Sequence, residues 1–151
     1  MEKDTSYRSS ASFGKRIEYN VIGRMLMDGL DVYIPLVDDH GVDCIVKNKK
    51  GKFIEIQIKA RSEKQTDRAA LFANIKHHEE IKNYYYVFWS ETMKCMWILS
   101  GEEFQKESRE LKSGANAGSH TIKFNGCKNG EAYPLEKYKK YLATDFSRFN
   151  K

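Results

Sequence analysis

Phe13, Ile17, Val21 and Met25 recur at every fourth position, with Ile22 and Leu26 beside them. That spacing lays one apolar stripe along a helix over about 12–28. Gly29, after Asp28, stands where such a helix stops. Asp31 to Val37 reads as a strand that Pro35 pushes to a sheet edge. Val42 to Lys47 reads as a second strand, and Asn48-Lys49-Lys50-Gly51 as the hairpin turn after it. The third strand, Lys52 to Lys59, has the cleanest period in the chain. Phe53 leads in, Ile54, Ile56 and Ile58 face one way, and Glu55, Gln57 and Lys59 face the other. A short helix is expected around 72–82. Tyr84 to Trp89 is a continuous apolar run, as in a strand covered on both faces, and Met93 to Leu99 forms another strand. Ser100-Gly101-Glu102-Glu103 is a capping box, predicting a helix to about Lys112 with Gly114 just beyond it. Residues 113–119 read as a loop, 120–124 as a short strand, and Pro134 as the start of a helix to about Leu142.

The chain has 151 residues, of which 40% are hydrophobic and 13% aromatic. This is the content of one globular domain spanning 1–151, with 1–10 expected to be flexible. No apolar run reaches the ~20 residues of a membrane span, and the polar start Met1-Glu2-Lys3-Asp4 is unlike a secretory signal. Cys44, Cys95 and Cys127 are odd in number and far apart, which argues against a disulfide framework or a structural zinc site. The expected compartment is the cytoplasm. The net charge is +5, and its whole excess falls between Lys47 and Lys64, where Lys47, Lys49, Lys50, Lys52, Lys59, Arg61 and Lys64 face only Glu55 and Glu63. Such a balance permits a polyanionic partner without requiring one.

The residues with the most chemistry lie on three consecutive elements. Glu18 sits at the edge of the first helix's apolar stripe. Asp43 follows the Gly41-Val42 turn into the second strand. Gln57 and Lys59 share one face of the third strand, with Glu55 on that face. Paired as a hairpin, strands two and three set these groups side by side. Oxygen donors beside an ammonium suit a hard divalent cation: Mg²⁺ takes one or two carboxylates, keeps several waters and binds substrate phosphate. A lysine next to it orients a water or balances growing charge.

At these residues the sequence resembles a family. Gly14-Lys-Arg-Ile-Glu18, Gly41-Val-Asp43 and Ile56-Gln-Ile-Lys59 look like the motifs of the PD-(D/E)XK nuclease superfamily, which includes restriction endonucleases and Holliday junction resolvases. The resemblance covers residues 12–60 and continues more loosely through Tyr84–Trp89 and Trp97–Phe104, as in small stand-alone members. It implies an α/β, restriction-endonuclease-like core: a mixed four- or five-stranded sheet flanked by helices in the order αβββαβ. It implies a metal-dependent endonuclease hydrolysing phosphodiesters, DNA more than RNA, with branched or structured sites among the expected substrates. Mg²⁺ is the implied cofactor, with Mn²⁺ as a substitute, and a homodimer the implied assembly. Carried over position by position, Asp43 is the central metal ligand, Glu18 a second ligand, Gln57 the occupant of the second acidic position, and Lys59 the catalytic lysine. Gln57 departs from the usual Asp or Glu and removes one negative charge. Glu55, ~6.5–7 Å earlier on the same face, is an auxiliary candidate.

Lys15, Arg16, Arg61 and Lys64 flank these positions and are candidates for holding a phosphate backbone, which positions nucleic acid without reading sequence. Asp38 and Asp39 are expected to shape the turn. His40 and the adjacent His77 and His78 read as solvated, and Tyr84, Tyr85, Tyr86 and Trp97 as packing. No helix-turn-helix, zinc finger, Gly-rich phosphate loop or nucleophile triad occurs. The alternative function, raised by Gln57, is a nuclease-fold protein that binds nucleic acid or a protein partner without cleaving it.

Overall fold

The computed structural model describes residues 9–38, 40–62, 66–77 and 82–151. Helix α1 (Ser10–Met27) begins where the Ser9 hydroxyl accepts the Ser12 N–H, and ends at Asp28. Of the expected stripe it buries Phe13, Val21, Ile22 and Met25, whereas Ile17 is half-buried and Leu26 lies 55% exposed. Strands β1 (Asp31–Tyr33), β2 (Cys44–Lys47) and β3 (Phe53–Arg61) follow as an antiparallel meander. The β2–β3 turn is closed by Asn48, whose side-chain oxygen accepts the N–H groups of Lys50 and Lys52. β1 is shorter than expected, stopping two residues before Pro35.

After β3 the chain departs from the expected order. Strand β4 (Leu71–Ile75) takes up the start of the segment predicted as a helix over 72–82, of which 78–81 lie outside the described residues. Its inward residues, Phe72 and Ile75, are three apart because the register shifts between them. Asn74 takes a left-handed conformation there (φ 55°). A bulge of this kind puts i and i+3 on one side and mimics helical spacing. Strand β5 (Tyr84–Ser90) then returns parallel to β3, and β6 (Cys95–Ser100) pairs antiparallel to β5. Among the described residues the crossover between β3 and β5 thus carries a strand, where αβββαβ would put a helix.

The Ser100 capping box forms as predicted, but α2 (Gly101–Glu107) is only seven residues long. Ser108 leaves the helix in an extended conformation (ψ 157°), its hydroxyl 2.8 Å from His120 Nδ1. Residues Arg109–Glu110 become β7, paired to β8 (His120–Lys123). β9 (Asn125–Lys128) and β10 (Glu131–Pro134) make a separate two-stranded ribbon. Pro134 ends β10 instead of opening a helix; a 3₁₀ turn follows at Glu136–Tyr141, then β11 (Leu142–Ala143) and a 3₁₀ turn at Ser147–Asn150.

Among the described residues the main sheet has six strands in the order β1-β2-β3-β5-β6-β11, more than the four or five expected, and it is mixed. One face carries α1: Val21, Ile22 and Met25 pack on Cys44, Val46, Ile54, Ile56, Val87 and Ile98, with Phe146 and Phe149 from the C-terminal segment. The other face carries a second sheet, β4-β8-β7, together with α2. Between the two sheets Phe124 stacks on Trp97 (4.8 Å between ring centres) and meets Phe72, Phe88 and Tyr138. His77, expected at the surface, packs here against Phe104, with Nδ1 3.0 Å from the Tyr86 hydroxyl. His78 lies outside the described residues. No described helix is long and apolar enough to cross a membrane.

Because Phe124 is fully buried among four aromatic rings, Phe124→Ala is expected to lose about 3–5 kcal/mol of stability. Urea unfolding measures it.

Candidate functional site

The β2–β3 register builds the site. Cys44 pairs with Ile56, and one step earlier the Asp43 N–H donates to the Ile56 carbonyl at 2.8 Å. Asp43 therefore lies across from Gln57. Its carboxylate turns along β3, where Oδ2 accepts the Ile58 N–H at 2.6 Å. The alternation expected in β3 is present: Ile54, Ile56 and Ile58 are buried under α1, while Glu55, Gln57 and Lys59 point to the opposite face and are half-buried.

Asp43 titrates high, at about 6. Burial is the main cause, and the Ile58 N–H works against it. The charges of Glu18 and Asp38 raise it further, while Lys59 lowers it. Two of the other three predicted residues, Glu18 and Lys59, thus act on the Asp43 carboxylate. Glu18 acts on it electrostatically from α1; its side chain is only 14% exposed and is held by Lys15 at 3.0 Å. Lys15 titrates above the usual lysine range through its hydrogen bond to Glu18, and Asp43 adds to that effect.

Gln57 is fixed from the turn side. Gly41 has φ +72°, and a Cβ built on it would overlap the Gln57 amide nitrogen. Only glycine fits both the backbone conformation and that contact. The Tyr84 hydroxyl donates to the Gly41 carbonyl at 3.0 Å, and Asp38 accepts the Val42 N–H at 2.9 Å. The turn is therefore tied at both ends. Gln57 Oε1 is buried and has no hydrogen-bond partner among the described residues. An unpaired buried carbonyl costs free energy that a cation would recover. The donor set is two carboxylates and an amide oxygen, all hard ligands, and it fits Mg²⁺ or Mn²⁺. Among the described residues no three His, Cys, Asp or Glu side chains form a metal cage; a cation held here would need the Gln57 oxygen as its third protein donor.

The remaining predicted residues are more dispersed. Glu55 is in register with Tyr84, a phenol that burial chiefly pushes up and that Glu55 raises a little further, whereas the carboxylates acting on Asp43 are Glu18 and Asp38. Arg16 is exposed and leaves α1 about 200° around the helix from Glu18. Arg61 donates through Nε to the Arg68 carbonyl at 3.2 Å. Lys64 and Asp39 lie outside the described residues, and His40 is exposed. Tyr84, read from sequence as packing alone, also clamps the Gly41 turn; an apolar run gives no sign of where a hydroxyl finds its acceptor. A pocket of ≈ 430 Å³ opens at the far end of β2, lined by Asp28, Asp31, Lys47 and Asp145 among others. It contains none of the four site residues.

No protein-family model matches the chain, and no curated protein matches it. Among solved structures, a bacterial homing endonuclease, I-Ssp6803I, superposes with a TM-score of 0.60 over 89% of each chain at 16% identity. The chain shares that nuclease's fold. At this identity the likeness is one of architecture, the mixed α/β sheet above, and the site rests on its own geometry.

The Asp43 shift sets a sign. Its folded pKa, about 6, lies above the ordinary 3.8. The native state therefore binds the proton more tightly, and this contribution is full below pH ~4 and lost as pH rises through about 6. Asp43→Asn keeps an acceptor for Ile58 and removes the buried charge. In EDTA it is expected to be about 1–3 kcal/mol more stable than wild type at pH 8. The gap should shrink towards pH 4, as urea midpoints would show. Gly41→Ala should lose about 1–3 kcal/mol from overlap and positive φ, by the same assay.

Proposed function

We propose that the protein is a metal-dependent endonuclease that hydrolyses DNA phosphodiesters, of the PD-(D/E)XK type. The observation that supports this most is the Asp43 carboxylate. Glu18 and Lys59 act on it from two other elements, and across from it Gln57 carries a buried, unpartnered oxygen. Asp43, Gln57 and Glu18 would hold Mg²⁺, with Mn²⁺ as a substitute. Bound there, the ion would polarise the scissile phosphate and make a water nucleophilic near neutral pH. Lys59 aligns that water for in-line attack and balances charge on the phosphate oxygens. Lys15 holds Glu18 in place at one rim, and Arg61 lies beyond Lys59 on the same strand, so both can meet the DNA backbone. One such site cuts one strand, so a double-strand break would take a second copy of the chain.

Gln57 also favours a second reading, a binder that does not cut, because an amide supplies no negative charge to offset the cation. Supercoiled plasmid incubated with Mg²⁺ or Mn²⁺ separates the two. The nuclease reading expects nicked or linear product, lost at least 10³-fold in Lys59→Ala and in Asp43→Ala with both variants folded. Salt-sensitive DNA binding without product would support the binder.

A further inference from the structure

Among the described residues the β9–β10 ribbon joins neither sheet. We propose that it is the protein's sequence-reading element, inserted in the major groove of duplex DNA; this rests on the nucleic-acid reading above and extends it to specificity.

The ribbon is stiff at both ends. Its strands pair Lys128 with Glu131, Cys127 with Ala132, Gly126 with Tyr133 and Asn125 with Pro134. That leaves a two-residue turn, Asn129-Gly130, with both residues at positive φ (53° and 76°). This is the tight hairpin turn whose twist matches the strands. Tyr133 lies across Gly126 so closely that a Cβ there would overlap its ring. An aromatic over a cross-strand glycine stiffens a ribbon with no third strand.

At the root Asn125 is 1% exposed. Its Oδ1 accepts the Ala70 N–H at 2.9 Å, and Nδ2 donates to the carbonyls of Thr66, Asp67 and Gly126. Phe124 N–H adds a bond to the Ala70 carbonyl. Residues 66–70 also take the Arg61 Nε bond at Arg68, and Arg61 stands two residues past Lys59. The ribbon is thus rooted one hydrogen-bonded step from the strand that carries Gln57 and Lys59.

A lone two-stranded hairpin is only marginally stable, so this anchoring favours a role for its tip. Lys128, Asn129, Gly130 and Glu131 are all exposed. The major groove, ~12 Å wide, admits a two-stranded ribbon. The tip's side chains match base edges: lysine donates to guanine O6 and N7, asparagine pairs with adenine N6 and N7, and glutamate accepts from cytosine N4. Lys128 and Glu131 cancel in charge, so the tip suits reading bases better than neutralising phosphates.

The test is selection of bound sequences from a pool of randomised DNA duplexes, in Ca²⁺, by wild type, Lys128→Ala and Asn129→Gly. Glycine keeps the positive φ, and both positions are exposed, so thermal midpoints should match wild type. Wild type is expected to enrich a defined sequence. Each variant should lose about 10-fold or more of the preference at a few adjacent base pairs. The salt dependence of binding should change by no more than about one phosphate contact. Variants that enrich the wild-type sequence unchanged would overturn the proposal, as would a wild type that enriches none. Binding selection needs no cleavage, so a protein that selects duplexes but leaves plasmid uncut removes the nuclease reading and keeps this one.

Discussion

One hydrogen bond organises the candidate site: Ile58 N–H to the Asp43 carboxylate, at 2.6 Å. It holds a half-buried charge against β3, across from Gln57 and within the field of Lys59. That placement depends on the β2–β3 register. A slip of one residue would turn Gln57 and Lys59 towards α1 and bring Ile56 and Ile58 out of the core. The register is secured by the isoleucines under α1, by Asn48 closing the hairpin, and by the Gly41 turn beneath Tyr84. The packing of the α1 face and the chemistry of the opposite face are therefore set together.

The site is kept at a cost in stability. A carboxylate that titrates near 6 is a charge that the fold would prefer protonated, and an unpartnered Gln57 oxygen adds to the same penalty. Groups kept at a cost to the fold are candidates for a functional site, which is the role proposed for them above. The turn follows the same logic: Gly41 accepts an unusual backbone conformation so that the Gln57 amide can lie against it.

The elements nearest this site were the most legible in the sequence. The strict alternation Ile54-Glu55-Ile56-Gln57-Ile58-Lys59 has one structural solution, and the spacing of Phe13, Ile17, Val21 and Met25 fixes α1 equally well. Legibility fails where tertiary contacts override local pattern. Phe72 and Ile75 mimic a helix because a bulge at Asn74 points both inward. The helix after Ser100 stops at Glu107, where Ser108 meets His120 and the chain joins β8. The β9–β10 ribbon did leave a sign, the Asn129-Gly130 dipeptide favoured in two-residue hairpin turns. Of the charged flanking positions, Lys15 could be placed from its spacing to Glu18. Arg61 could not, because its partner is a carbonyl on a loop.

The central claim is that Asp43, Gln57 and Glu18 converge on one divalent cation beside Lys59. Crystals soaked in Mn²⁺ test it most directly through the metal's anomalous scattering. The account predicts one strong peak between the Asp43 carboxylate and the Gln57 amide oxygen, absent in crystals of Asp43→Ala. A peak elsewhere with this site empty, or the same peak in the variant, would contradict it.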